Sequence, residues 1–133
     1  MSVNADGKGT YVVEVSGGFC ATHRVCLADG SLESLHGHDW VVTVELRSEA
    51  LDDCGMVADF LAVREGLDAV SEALNHRCLN DHEWLEGMSP TAERVARVIL
   101  EHLGRGASWR DKIHAVHVVE APGCRASFLA ASK

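Results

Sequence analysis

No apolar run in this chain is long enough to cross a bilayer, and its opening residues, MSVNADGKG, lack the apolar centre of a secretion signal. No C-x-x-C pair occurs either. The five cysteines, Cys20, Cys26, Cys54, Cys78 and Cys124, are odd in number and widely scattered. These absences argue against a membrane span, a disulfide framework and a structural thiolate zinc site. The expectation is a cytoplasmic protein whose cysteines are free thiols. Positive charge is also scarce: 12 Lys and Arg against 20 Asp and Glu leave a net charge of -8. That balance argues against broad binding to nucleic acid or to an anionic membrane. An anionic small substrate would need a local basic patch. No internal repeat, low-complexity tract or linker divides the chain.

What is present fits one domain over residues 1–133. The chain is 47% hydrophobic and 24% charged, an ordinary globular balance with enough apolar residues for a core. Residues 1–9 are polar and contain glycine, and are expected to fray. Tyr11-Val-Val-Glu-Val15 reads as a strand. Gly17-Gly18 is expected to interrupt it as a bulge or bend, with Phe19-Cys-Ala-Thr-His23 resuming. Ala28-Asp-Gly-Ser31 signals a turn. In the run 40–47, Trp40, Val42, Val44 and Leu46 share one parity and predict a buried face.

Phe60, Val63, Leu67, Val70 and Leu74 make one stripe of a helix over 60–74, with Asp59 at its N-cap. Asn75 to Asp81 reads as turn chemistry. A second helix is expected to start with Ser89 as cap and Pro90 as first residue, and to stop at Gly104. Residues 113–120 and 125–130 read as a hairpin around Pro122-Gly123. The order strand, strand, helix, helix, strand, strand predicts an α+β domain.

His36 and His38 are two residues apart, so on a strand both imidazoles point to one side of the sheet. His23 ends the strand before them. Three neutral histidines with an open fourth position are a catalytic zinc arrangement. His23, His36 and His38 are therefore read as holding Zn2+. A cupin-like site is disfavoured, because Glu45 stands seven residues after His38 and on the opposite parity.

Glu33 and Asp39 flank the pair, either as ordinary loop carboxylates or as a base near a metal-bound substrate. His76 is either a charge at a helix end or an acid/base group. Glu120 shares the parity of Val116 and Val118, so it would face apolar surroundings and need a partner, such as N–H donors of a ligand. Thr91 and Glu93 read as first-turn residues. His82, His102, His114 and His117 are read as structural or surface histidines.

The blocks Phe19-Cys-Ala-Thr-His23-Arg24, Leu35-His36-Gly-His38, Gly55-Met-Val-Ala-Asp59-Phe60, Leu74-Asn-His76-Arg-Cys-Leu79-Asn80-Asp81, Ser89-Pro-Thr91-Ala-Glu93 and Val119-Glu120-Ala-Pro stand in this order. Together they resemble the 6-pyruvoyl-tetrahydropterin synthase family, which includes the 6-carboxytetrahydropterin synthases of the queuosine pathway. The resemblance implies a tunnelling fold, an antiparallel four-stranded sheet with two helices on one face. It implies subunits joined edge to edge into a β-barrel, a homohexamer built as a dimer of trimers with the active site at an interface.

It also implies zinc on His23, His36 and His38, a pterin anchored by Glu120, and Thr91 and Glu93 near the pterin pocket. The family substrate is 7,8-dihydroneopterin triphosphate, for whose phosphates Arg24 and Arg77 are the candidates. The family's usual catalytic cysteine falls on Leu32. A subgroup uses a glutamate instead, which falls on Glu33. That subgroup is associated with cleaving the side chain to 6-hydroxymethyl-7,8-dihydropterin for folate synthesis. The aspartate that usually pairs with the relay histidine is Asn75 here, before His76. Synthase chemistry, the hydroxymethylpterin-forming cleavage and a non-catalytic zinc- and pterin-binding role are the three readings.

Overall fold

Alternating burial carries the sheet. In the computed structural model, which describes residues 7–132, β1 (Tyr11–His23) and β2 (His36–Ser48) are each 13 residues long. They pair antiparallel in one register, from Tyr11 opposite Ser48 to His23 opposite His36. Of the polar stretch 1–9, residues 1–6 lie outside the described residues.

Gly17-Gly18 does not interrupt β1. The register runs through both, and the reason for glycine is proximity. A Cβ on Gly18 would sit 2.4 Å from the Trp40 carbonyl oxygen, and one on Gly17 would sit 3.3 Å from Leu67. Gly18→Ala is therefore expected to cost about 2–3 kcal/mol and lower the thermal midpoint by on the order of 10 °C. Gly37→Ala in the same strand pair is the control, since its Cβ would meet nothing closer than Thr22 at 3.6 Å. Equal thermal midpoints for the two variants would refute the close-approach account.

The described sheet has five strands, in the order β3-β1-β2-β4-β5. β4 (Ile113–Ala121) and β5 (Cys124–Leu129) form the expected hairpin, antiparallel beside β2. The departure from four strands is β3 (Arg77–Cys78), a two-residue parallel partner of Ala21 and Thr22 on the outer edge of β1. It forms because Asn75 and His76 turn the chain back onto that edge. His76 takes a left-handed backbone conformation, φ 59°. Its N–H donates to the Cys20 carbonyl at 2.6 Å, while Asn75 Oδ1 accepts the Cys20 N–H at 3.0 Å.

Helix α1 (Phe60–Leu74) has the expected bounds, and the Asp59 carboxylate accepts the Leu61 N–H as its N-cap. Val63, Leu67, Val70 and Leu74 are buried, but Phe60, the first residue of the helix, is 55% exposed. Helix α2 (Ala92–His102) is capped by Thr91, whose hydroxyl accepts the Arg94 N–H. Ser89 is not the cap. Its hydroxyl is taken by the Cys26 N–H at 3.2 Å, which leaves Pro90 outside the helix. Gly104, with φ 66°, follows the last turn as expected.

Both helices pack on one face, α1 on β1 and α2 on β4 and β5. Their apolar stripes meet Val15, Phe19, Trp40, Val42, Val44, Leu46, Val116 and Val118, all buried. The other sheet face carries Glu14, Ser16, Thr43 and His117. No described helix is long and apolar enough to cross a membrane.

Candidate metal centre

The register decides which histidines meet. His23 closes β1 directly opposite His36, where β2 begins, and His38 lies two residues further on the same side. The three ring centroids are 4.7–5.1 Å apart, with each pair near perpendicular. Trp40, the next residue of that parity, supports them. Its ring meets His23 at 4.9 Å and His38 at 5.6 Å, and its Nε1 donates to the Ala21 carbonyl.

The fourth member is Glu120. In the β4–β5 ladder, Val119 pairs with Arg125 and Ala121 with Cys124, so Glu120 falls at a register shift. Such irregularities re-aim a side chain. The Glu120 carboxylate lies 2.8 Å from His23 Nε2 and 3.2 Å from His38 Nε2. One ligand atom from each of His23, His36, His38 and Glu120 lies within 4.8 Å of the others.

Hydrogen bonding fixes what these nitrogens present. His23 Nδ1 is 2.8 Å from the Pro90 carbonyl, and His36 Nδ1 is 2.7 Å from the Ser34 carbonyl. A carbonyl only accepts, so each Nδ1 carries the hydrogen. In the neutral rings, Nε2 then holds a lone pair. Nε2 of His23 and of His38 are buried without a hydrogen-bond partner, although the Glu120 oxygen is close. Lone pairs gathered around a carboxylate repel unless a cation stands among them. Nδ1 held from behind and Nε2 facing inward is how metal-binding imidazoles are oriented. Three imidazoles with a carboxylate beside them suit zinc.

Around this centre, Glu33 is in reach and His76 is not. Residues 25–33 form a small hairpin, with Cys26 bridged to Leu32 and Glu33 N–H bonded to the Val25 carbonyl. Glu33 Oε1 accepts the Val25 N–H at 3.0 Å and stands 3.6 Å from His36 Nε2. Its other oxygen has no partner among the described residues. Asn80 clamps the base of this hairpin by bonding both the N–H and the carbonyl of Arg24. Asn75 and His76 attach at Cys20, three strand residues from His23, or roughly 10 Å.

Glu93 and Glu120 line one cleft of about 430 Å3 between α2 and the β4–β5 hairpin. Thr91 is engaged as a helix cap. Arg24 and Arg77 are both exposed near the end of β1. Asp39 is exposed opposite Cys20, on the parity away from His38. Cys26 Sγ turns to the Leu27 carbonyl.

A larger groove, of about 550 Å3, lies between α1 and the loop after α2, away from all of these groups. One group went unread in the sequence: His117 lies against Glu45 on the other sheet face. Its only signal was that β2 and β4 both place polar residues on their outward parity.

The family model described as 6-pyruvoyl tetrahydropterin synthase matches residues 12–131. The 6-carboxy-5,6,7,8-tetrahydropterin synthase of Synechocystis is 35% identical over 107 residues, covering 77% of this chain and 80% of that protein. The 6-pyruvoyl tetrahydropterin synthase structure from Caenorhabditis elegans superposes with a TM-score of 0.80 at 24% identity, covering 93% of this chain and 98% of that one. The Plasmodium vivax 6-pyruvoyltetrahydropterin synthase has been solved as a catalytic residue mutant, with a glutamate changed to alanine. It superposes with a TM-score of 0.74 at 19% identity, covering 90% of this chain and 97% of that one.

Proposed function

The chain belongs to the 6-pyruvoyl tetrahydropterin synthase family, and from that premise we propose that it is a zinc-dependent synthase-type lyase acting on 7,8-dihydroneopterin triphosphate. The observation that carries the proposal is the convergence of His23, His36, His38 and Glu120 from three strands, with Glu33 beside His36. His23, His36 and His38 hold the ion. When bound, it supplies Lewis acidity to the side-chain oxygens of the substrate.

The residues of the chain divide the remaining work. Glu33 is the base. One of its oxygens is fixed by the Val25 N–H, which orients the other. Glu120, at the border of the histidine cluster and the cleft, accepts from the pterin N–H groups, with Glu93 lining the same cleft and Thr91 holding the helix start beside it.

His76 donates or shuttles a proton and Asn75 orients it. Within one chain this pair sits at the far side of the β1 edge, so it serves the site of an adjoining copy. Two features support assembly through sheet edges into the family's hexamer. β5 ends the sheet, and β3 covers only Ala21 and Thr22 of the outer edge of β1.

One observation favours a second reading. Leu32 stands where the usual cysteine would, and Cys26 turns away, so with Glu120 given to the pterin the base falls to the Glu33 carboxylate beside His36. A glutamate is also what the Plasmodium vivax mutant names as catalytic. That favours cleavage to 6-hydroxymethyl-7,8-dihydropterin.

Mass spectrometry of products after incubation with dihydroneopterin triphosphate tests both readings. A 6-carboxy- or 6-pyruvoyl-tetrahydropterin product supports the synthase, and the hydroxymethyl product supports the cleavage. Zinc and pterin bound without any product would instead make the chain a non-catalytic binding homologue.

A further inference from the structure

The open sheet face gathers a second, different group of possible metal ligands. We propose that Glu14, Glu45 and His117 form a second divalent-cation site, separate from the first and on the side of the sheet away from the helices. The three residues come from β1, β2 and β4. One ligand atom from each lies within 4.8 Å of the others.

Two of the three are held from behind, as metal ligands are. His117 Nδ1 is 2.6 Å from the Ser127 hydroxyl on β5, which leaves Nε2 facing the cluster. Glu45 Oε2 is bound by Arg47 Nε at 2.5 Å, which leaves Oε1 facing the same point. Those two atoms are 2.9 Å apart and hydrogen-bonded to each other.

The third group gives the independent reason for a cation. Glu14 and Glu45 are directly paired across β1 and β2. Like charges directly opposite on neighbouring strands destabilise a sheet. Glu45 is 7% exposed, so its charge is poorly screened by solvent. Burial alone would raise its pKa, but the hydrogen bonds from His117 and Arg47 outweigh this and hold the carboxyl below its usual range. Arg47 compensates one carboxylate. Glu14 is exposed and has no hydrogen bond or ion pair among the described residues, so it is free to close on an ion.

Two carboxylates and one imidazole form a borderline donor set, suited to Zn2+, Co2+ or Mn2+. A bound ion would replace the His117–Glu45 hydrogen bond. His117 would then carry its hydrogen on Nδ1, toward Ser127.

The test separates this site from the first and does not depend on turnover. The parent is the full chain with His36→Ala and His38→Ala, loaded with Zn2+ alone, desalted, and read by elemental analysis and calorimetric titration. One zinc per chain is expected to remain. Adding Glu14→Gln, at an exposed position that leaves the fold undisturbed, is expected to weaken binding by at least about tenfold. Adding His117→Gln is expected to abolish it. A parent that retains less than a fifth of a zinc per chain would overturn the proposal. So would zinc that survives both added substitutions. A wild-type chain that fails to turn over pterin would leave this site standing, because neither readout uses the pterin.

Discussion

His38→Ala is expected to lose the zinc of the histidine centre and, with it, the activity. The substitution is best made in a His117→Gln background, so that the sheet-face cluster contributes nothing. Removing one of three imidazoles should weaken zinc by well over the roughly 100-fold that follows loss of an outer hydrogen-bonding partner. His38 is the informative ligand because its side chain is 20% exposed, whereas that of His23 is fully buried and bonded to the Pro90 carbonyl. His23→Ala would leave a cavity and an unpaired carbonyl, and would confuse metal loss with unfolding. The measurement is a zinc titration against a chelator of known affinity, with circular dichroism to establish that the fold persists. An unchanged zinc affinity in folded His38→Ala would refute the three-histidine centre.

Glu33→Gln is expected to lower kcat by about 10²–10⁴-fold, the range for removal of a positioned general base. Zinc content and KM should hardly change. Glutamine keeps an oxygen that can accept the Val25 N–H, so the 25–33 hairpin stays in place while the proton acceptor is gone. Cys26→Ser is the companion variant. The Cys26 thiol is exposed and turned to the Leu27 carbonyl, so its loss should leave kcat within about threefold of the parent, less than the loss of any positioned base. A full loss in Cys26→Ser with little change in Glu33→Gln would move the base from the carboxylate to the thiol.

Parts of this chain were legible because their signals are local. Helix α1 came out at 60–74, since apolar residues recur there at helical spacing behind an aspartate cap. Four of its five stripe residues are buried, and only Phe60, at the first position of the helix, is not. The face of β2 was legible for the same reason: Trp40, Val42, Val44 and Leu46 alternate, and all are buried. The α2 cap was misread as Ser89, because the pull of Cys26 on its hydroxyl comes from a residue 63 positions away. Gly17-Gly18 looked like an interruption because the Trp40 carbonyl that demands a glycine belongs to the other strand.

The two clusters divide along the same line. Sequence alone placed His36 and His38 on one side of one strand, because strand side chains alternate with a period of two wherever the strand lies. It could not place His23 opposite His36, bring Glu120 to them through a register shift, or seat His76 on the edge of β1. Nor could it bring Glu45 and His117, 72 residues apart, together across β2 and β4 with Ser127 behind them. Those meetings depend on strand order and register. Register is set by the packing of the whole buried face against two helices, and no single stretch of the chain carries that information.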